Sequence, residues 1–232
     1  MKASEIRYER KWELRNYDLN TIVLKIYKSN FLFSELYEKR FVNSIYFDDK
    51  NFTSIHQNLD GLNDKIKYRV RWYGEKNKIL NPKLEIKSKR GFINCKHVSN
   101  LKNLHDIYFN FNGIKKLTDS VNKYFNNKKI LIPITSTHYE RYYFISSNNL
   151  IRATLDTSIS SSSLYKYCNH QFKKNFARKI FELKYARGLD DYVKNNIKNS
   201  FSRLSKSSKY IFSSVDKKNN YSIWKIFFSI SY

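Results

Sequence analysis

The residues best placed to do chemistry in this chain are charged ones that recur at every second position. Arg7, Glu9 and Lys11 alternate with Tyr8, Arg10 and Trp12. Lys65, Lys67, Arg69 and Arg71 alternate with Ile66, Tyr68, Val70 and Trp72. Lys83, Glu85, Lys87 and Lys89 do the same around Leu84, Ile86 and Ser88, as do Arg152, Thr154 and Asp156 around Ala153 and Leu155. Glu182 and Lys184 sit between Phe181, Leu183 and Tyr185. Side chains on a strand point alternately to opposite faces, so each stretch puts its ions on one side and most of its apolar groups on the other. Arg69 and Arg71 then fall roughly 6–7 Å apart on one face, which approximates the step along an extended phosphate chain. Arginine forks grip phosphate oxygens in pairs, and lysine adds mobile point charge. The chemistry such faces support is the holding of a polyanion. Two arrangements satisfy the pattern: a sheet whose ionic face lies in water, or strands that enclose a hydrated bore whose charges a bound polyanion and metal would balance.

The strands that must carry these residues are legible from the same alternation. Arg7–Leu14, Val42–Phe47, Lys65–Tyr73, 81–89, 137–146, 149–156 and 178–186 read as strands. Asp18 reads as the N-cap of an amphipathic helix carrying Leu19, Ile22, Val23 and Ile26. Residues 51–59 read as a short helix, and 98–125 as two helices broken near 110–113. Residues 158–163, rich in serine, read as a mobile loop, and 190–200 as a late helix. Asp48 and Asp49 read as turn residues, with positioning of a neighbouring cation as the alternative; Asp156 reads as the partner of Arg152, with help at a metal as the alternative. The fold class that follows is α+β, with strands able to close into an antiparallel barrel and helices packed outside.

Composition narrows the partners. The chain has 232 residues, 44 Lys+Arg against 20 Asp+Glu, and a formal charge of +24. Such a field draws in polyanions. With 5 Gly and 2 Pro the chain has no glycine-rich phosphate loop, and neither a P-loop nor a Rossmann fingerprint is present. The five histidines are scattered and the two cysteines, Cys95 and Cys168, form no metal motif, which points to a reducing compartment. No stretch approaches the ~20 apolar residues needed to span a bilayer. Nucleic-acid binding is disfavoured, because the aromatics alternate away from the cations and no known recognition motif is present.

Eight motifs stand in one order: R-x-E-x-K (Arg7, Glu9, Lys11), SIYFDD (Ser44–Asp49), K-x-R-x-R-W-Y-G (Lys67–Gly74), LEIK (Leu84–Lys87), YERYYF (Tyr139–Phe144), IRATLD (Ile151–Asp156), FELK (Phe181–Lys184) and KSSKY (Lys206–Tyr210). Together they resemble the VTC domain, the polyphosphate polymerase module of the triphosphate tunnel metalloenzyme superfamily, in its bacterial stand-alone form. The resemblance implies a closed antiparallel β-barrel tunnel with helices packed on the outside. It implies a tunnel domain over residues 1–215; the apolar tail over 216–232, of unknown role, lies outside the resemblance. Arg7, Lys11, Lys67, Arg69, Arg71, Lys87, Arg141, Arg152, Lys184, Lys206 and Lys209 would bind phosphates, with either Lys206 or Lys209 closing the path. Arg69, Arg71, Lys87, Arg152 and Glu182 would act in catalysis. Glu182, supported by Glu9 and Glu85, would hold Mn²⁺ or Mg²⁺.

The activity so implied is a polymerase that moves the terminal phosphate of ATP onto a growing polyphosphate chain. Hydrolysis of inorganic triphosphate or nucleotides, and polyphosphate binding without turnover, are the alternatives. Many tunnel hydrolases begin E-x-E-x-K; here Arg7 takes the first position, one acid fewer and one cation more, which favours holding a long chain. The expected substrates are ATP and polyphosphate or triphosphate. The expected location is the cytoplasm, with a membrane-protein partner or the C-terminal tail as the route to a membrane surface. The large N-terminal extension that carries an inositol-phosphate-sensing domain in some relatives is expected to be missing.

Overall fold

A computed structural model describes residues 7–91, 93–101, 104, 107–164, 173–197, 201, 204–205 and 208–214. Eleven strands appear in chain order: β1 Arg7–Leu14, β2 Ser34–Asp48, β3 Lys65–Tyr73, β4 Lys78–Ile79, β5 Lys83–Arg90, β6 Ile93–Asn100, β7 Ile107–Tyr108, β8 Ile132–Ile145, β9 Arg152–Ser163, β10 Lys173–Asn175 and β11 Lys179–Ala186. The helices are α1 Leu19–Tyr27, α2 Thr53–Leu59, α3 Phe111–Tyr124, α4 Asp190–Ile197 and α5 Lys209–Ser214. The chain divides into two compact units, the first built from 1–40, 139–159 and 176–207, the second from 41–138, 160–175 and 208–232. Long strands β2, β8 and β9 run from one into the other.

The first unit has the strand order β1-β11-β9-β8-β2. The backs of these strands are apolar and bury Trp12 and Leu14 from β1, Phe181, Leu183 and Tyr185 from β11, and Ala153 and Leu155 from β9. Helix α1 closes this core with Ile22 and Ile26, and α4 with Val193 and Ile197. Each large side chain buried in this way contributes about 1.5–3 kcal/mol. Asp18 accepts the Thr21 backbone N–H at 2.9 Å and starts α1, as its position ahead of the helical periodicity predicts. The outer edge of β1 is covered: Leu204 bridges to Trp12, and the Ser205 N–H donates to the Lys11 carbonyl at 2.7 Å.

The second unit has the order β8-β2-β3-β5-β6, with β10 added to the end of β9 and a small β4–β7 ladder beside it. Its core gathers Ile45 and Phe47, Tyr68, Val70 and Trp72, Leu84, and the α3 residues Ile114, Leu117 and Val121. Strands β1 and β6 are the edge strands of the order, each laddered to one neighbour among the described residues. The antiparallel α+β class is the one expected, and among the described residues no ladder joins β1 to β6.

Three elements differ from the sequence reading. Of the two helices expected over 98–125 only the second forms, as α3; residues 98–100 belong instead to strand β6 and 107–108 to β7. The apolar spacing after Val98 imitates a helix, but pairing with β5 over Lys83–Arg90 takes the segment into the sheet. The serine run is strand, not mobile loop: Ser160, Ser161 and Ser162 are buried, and the Ser162 carbonyl accepts the Thr135 hydroxyl at 3.2 Å. Strand β2 begins at Ser34, earlier than expected, because most of its first half is exposed and carries no alternation signal. No described helix is long and apolar enough to cross a membrane.

Candidate phosphate site

In the first unit the register lines up the ionic residues across neighbouring strands. Lys11 stands opposite Glu182, which stands opposite Thr154 on β9. Glu9 stands opposite Lys184, which stands opposite Arg152. The four central groups form an interleaved square. Lys11 Nζ lies 3.4 Å from both Glu9 Oε2 and Glu182 Oε2. Lys184 Nζ lies 2.9 Å from Glu182 Oε1 and 3.7 Å from Glu9 Oε1. Burial by itself would raise the Glu182 carboxyl, but Lys11, Lys184 and Arg141 overcome it and hold the group well below the usual carboxylate range. Burial by itself would lower Lys11; Glu182 and then Glu9 reverse this and raise it. Lys11 and Glu182 are therefore both ionised near neutral pH.

Arg141 reaches this face from β8. Its guanidinium donates from Nε to Asp156 Oδ1 at 2.6 Å and from Nη2 to Asp156 Oδ2 at 2.8 Å. The expectation that Asp156 serves Arg152, four residues earlier on its own strand, is corrected by this fork across the β8–β9 hairpin. Arg152 is exposed at the start of β9. Arg141 also lies over the Tyr139 ring at 5.2 Å. Arg7 is exposed at the open end of β1, opposite Ala186. Sequence reasoning passed over Thr154, whose hydroxyl is shielded from solvent and has no hydrogen-bond partner among the described residues. Its place between charged neighbours in IRATLD was the available signal.

The second unit carries its own cluster. Arg69 stands opposite Glu85, and Lys67 opposite Lys87, across β3 and β5. Arg69 Nε donates to Glu85 Oε2 at 2.7 Å, and Lys96 of β6 donates to Glu85 Oε1 at 2.8 Å. Arg71 Nη1 lies 4.0 Å from the same carboxylate, and its Nε donates to Ser44 Oγ at 3.4 Å. Burial would raise Glu85; Arg69, Arg71 and Lys96 win and depress it strongly. A polar cavity of about 210 Å³ opens beside Arg71, Lys83, Glu85 and Lys96. Lys67 donates to Ser208 Oγ at 3.1 Å. Lys209 is half-buried at the start of α5, whereas Lys206 lies outside the described residues.

Asp48 of SIYFDD is fully buried and accepts the backbone N–H groups of Asp49, Ser54 and Ile55 and the Tyr210 hydroxyl. Asp49 accepts from Asn51 N–H and Thr53 N–H. Both aspartates therefore hold the turn into α2, and Asp48 also ties the KSSKY motif to that turn.

The divalent ion expected at this face can be weighed against the donors. Glu9 and Glu182 are oxygen donors that converge on the same two ammonium groups, and they suit a hard ion in kind. Among the described residues no group of three or more His, Cys, Asp and Glu side chains converges. Phosphate oxygens and water would have to complete the shell. Both Glu85 oxygens already face cations, which gives that residue the character of a counter-charge.

A structure from Vibrio parahaemolyticus, of a candidate adenylate cyclase, has the same fold with a TM-score of 0.51 and 12% identity, over 91% of this chain and 99% of that one. A Pyrococcus horikoshii protein is similar at a TM-score of 0.47 and 11% identity, over 88% of this chain and 97% of that one. Comparison with the curated proteins gives no match. The family model described as the VTC domain matches residues 6–215, a span that includes every residue of both ionic clusters. The chain belongs to the VTC domain family, a family of enzymes concerned with polyphosphate and triphosphate.

Proposed function

We propose that this chain is a divalent-metal-dependent polyphosphate polymerase that moves the terminal phosphoryl group of ATP onto the end of a phosphate chain. The observation that carries the reading is the square of Lys11, Glu182, Lys184 and Glu9 beside Arg141, on a strand that opens with Arg7. Hydrolysis requires a positioned water and a base to take its proton. Chain growth does not, because the attacking terminal phosphate oxygen is already largely ionised near pH 7. None of the described groups on this face is an obvious base. Lys11 is held in its charged form, and Glu182 is held ionised by its cations.

The step is an in-line displacement. The terminal oxygen of the acceptor chain forms a bond to the γ-phosphorus of ATP. The bond from that phosphorus to the β–γ bridging oxygen breaks, and ADP leaves with the electron pair. Lys11, Lys184, Arg141 and Arg152 hold the phosphates in line and offset their charge. Glu182, with Glu9, would hold the divalent ion, which when bound neutralises charge on the donor phosphates. In the second unit Arg69, Arg71, Lys67 and Lys87 supply phosphate contacts of the same chemistry, with Lys209 in support, and Glu85 keeps Arg69 and Arg71 in place. Purified protein incubated with ATP and Mn²⁺ tests the reading. Long phosphate chains and ADP are expected. Orthophosphate as the sole new phosphate species would overturn it in favour of hydrolysis, and binding without turnover would reduce the chain to a polyphosphate-capturing module.

A further inference from the structure

We propose that Tyr37, Arg40 and Tyr143 form a seat for the nucleobase of the donor, which makes a nucleoside triphosphate the preferred substrate over inorganic triphosphate; this rests on the phosphotransfer reading of the same face. The three side chains touch one another. The Tyr37 and Tyr143 rings meet edge to face, with centroids 5.8 Å apart and planes at 79°. The Arg40 guanidinium lies 5.2 Å from the Tyr37 centroid and 5.8 Å from that of Tyr143. Tyr37 is 51% exposed and Arg40 is exposed, so neither serves the core. An exposed ring and planar cation, backed by the half-buried Tyr143 ring, form a stacking platform for a flat heterocycle. The neighbouring side chains Lys39, Glu140 and Tyr142 pair among themselves, with a 3.4 Å ion pair and Lys39 5.9 Å from the Tyr142 centroid.

The placement links this platform to the phosphate cluster of the same unit. The Ser146 N–H donates to the Ile151 carbonyl at the mouth of the β8–β9 hairpin. Counting outward from that pair sets Tyr143 opposite Thr154 and Arg141 opposite Asp156, and the Arg141–Asp156 fork agrees with the count. Thr154 stands opposite Glu182, and Glu182 opposite Lys11. Tyr143, Thr154, Glu182 and Lys11 thus form one row across four neighbouring strands. At ordinary strand spacing Tyr143 is about 10 Å from the Glu182 strand, a distance that a ribose and the leading phosphates bridge. Thr154, whose hydroxyl has no hydrogen-bond partner among the described residues, stands in the same row.

Titration calorimetry on the intact chain with a non-hydrolysable ATP analogue and, separately, with tripolyphosphate tests the inference. Tyr37→Ala should weaken the nucleotide analogue about tenfold, the loss of one stacking surface, and leave tripolyphosphate unchanged. Tyr37→Phe, which keeps the ring, should bind both as the parent does. Arg40→Ala guards against an effect peculiar to one position and should likewise weaken the analogue more than tripolyphosphate. Equal weakening of both ligands, or no weakening of the analogue, would overturn the base seat while leaving the phosphate site standing. Failure of the parent to bind either ligand would overturn the phosphotransfer reading and the base seat together.

Discussion

The Tyr210 hydroxyl donates to Asp48 Oδ2 at 2.7 Å in a buried setting, joining the KSSKY motif to the turn that ends β2. The Tyr210 ring also stacks on Tyr46, with centroids 4.9 Å apart and planes at 18°. Burial, then Asp48, pushes the Tyr210 hydroxyl well above its ordinary range, so it stays a donor. Tyr210→Phe keeps the stack and removes one donor from a buried carboxylate. It should cost about 1–3 kcal/mol, read as a lower urea midpoint with an unchanged slope.

Glu182 is the carboxylate that two lysines and Arg141 all favour in its charged form. Glu182→Gln should lower ATP turnover by about 100-fold or more, the scale for losing a preorganised charge at a reacting group. Retention of half or more of the parent rate, measured as ADP release with Mn²⁺, would remove this residue from the metal role.

Glu85→Gln leaves Arg69, Arg71 and Lys96 without their shared counter-charge. Breaking one side of a buried ion pair costs about 3–5 kcal/mol. The melting temperature should fall, and tripolyphosphate should restore part of the loss, because an anion that binds only the folded state stabilises it by mass action. A variant that melts with the parent would show that the cluster is more hydrated than its burial implies.

Tyr185 is pushed up to about 12, by burial first and then by its hydrogen bond to Asp190, at 2.8 Å. A folded-state value above the unfolded one means that the contribution is present below pH ~10 and is lost as pH rises through the folded value. Tyr185→Phe should therefore flatten the decline in stability between about pH 10 and 12. Denaturant midpoints measured across that interval for parent and variant provide the check.

Alternation made the strands that carry Arg7 to Lys11, Lys67 to Arg71 and Glu182 to Lys184 readable, because one face of each is apolar and packed. It failed for β6, whose INCKHVSN run has no apolar face of its own, and for the serine end of β9. There the buried residues are small serines beside β8, whose Thr135 and Ser136 hydroxyls donate to the Ser162 carbonyl, a setting that composition reads as loop. The ionic site was readable as a set of residue types but not as partnerships. Asp156 found Arg141 across a hairpin rather than Arg152 along its strand, because a hairpin's register is set by its turn. Tyr37 and Arg40 gave no signal, since their strand half is exposed and the neighbour that makes them a cluster, Tyr143, lies over a hundred positions away.

Lys11 hangs from a rim strand whose carbonyl is clasped by Ser205. Another copy of the chain seeking to extend the ladder at that margin would meet residues 204 and 205 already in place. Peeling away this clasp would bare a docking rail for fibrous growth and, in the same motion, loosen the ammonium that grips Glu182.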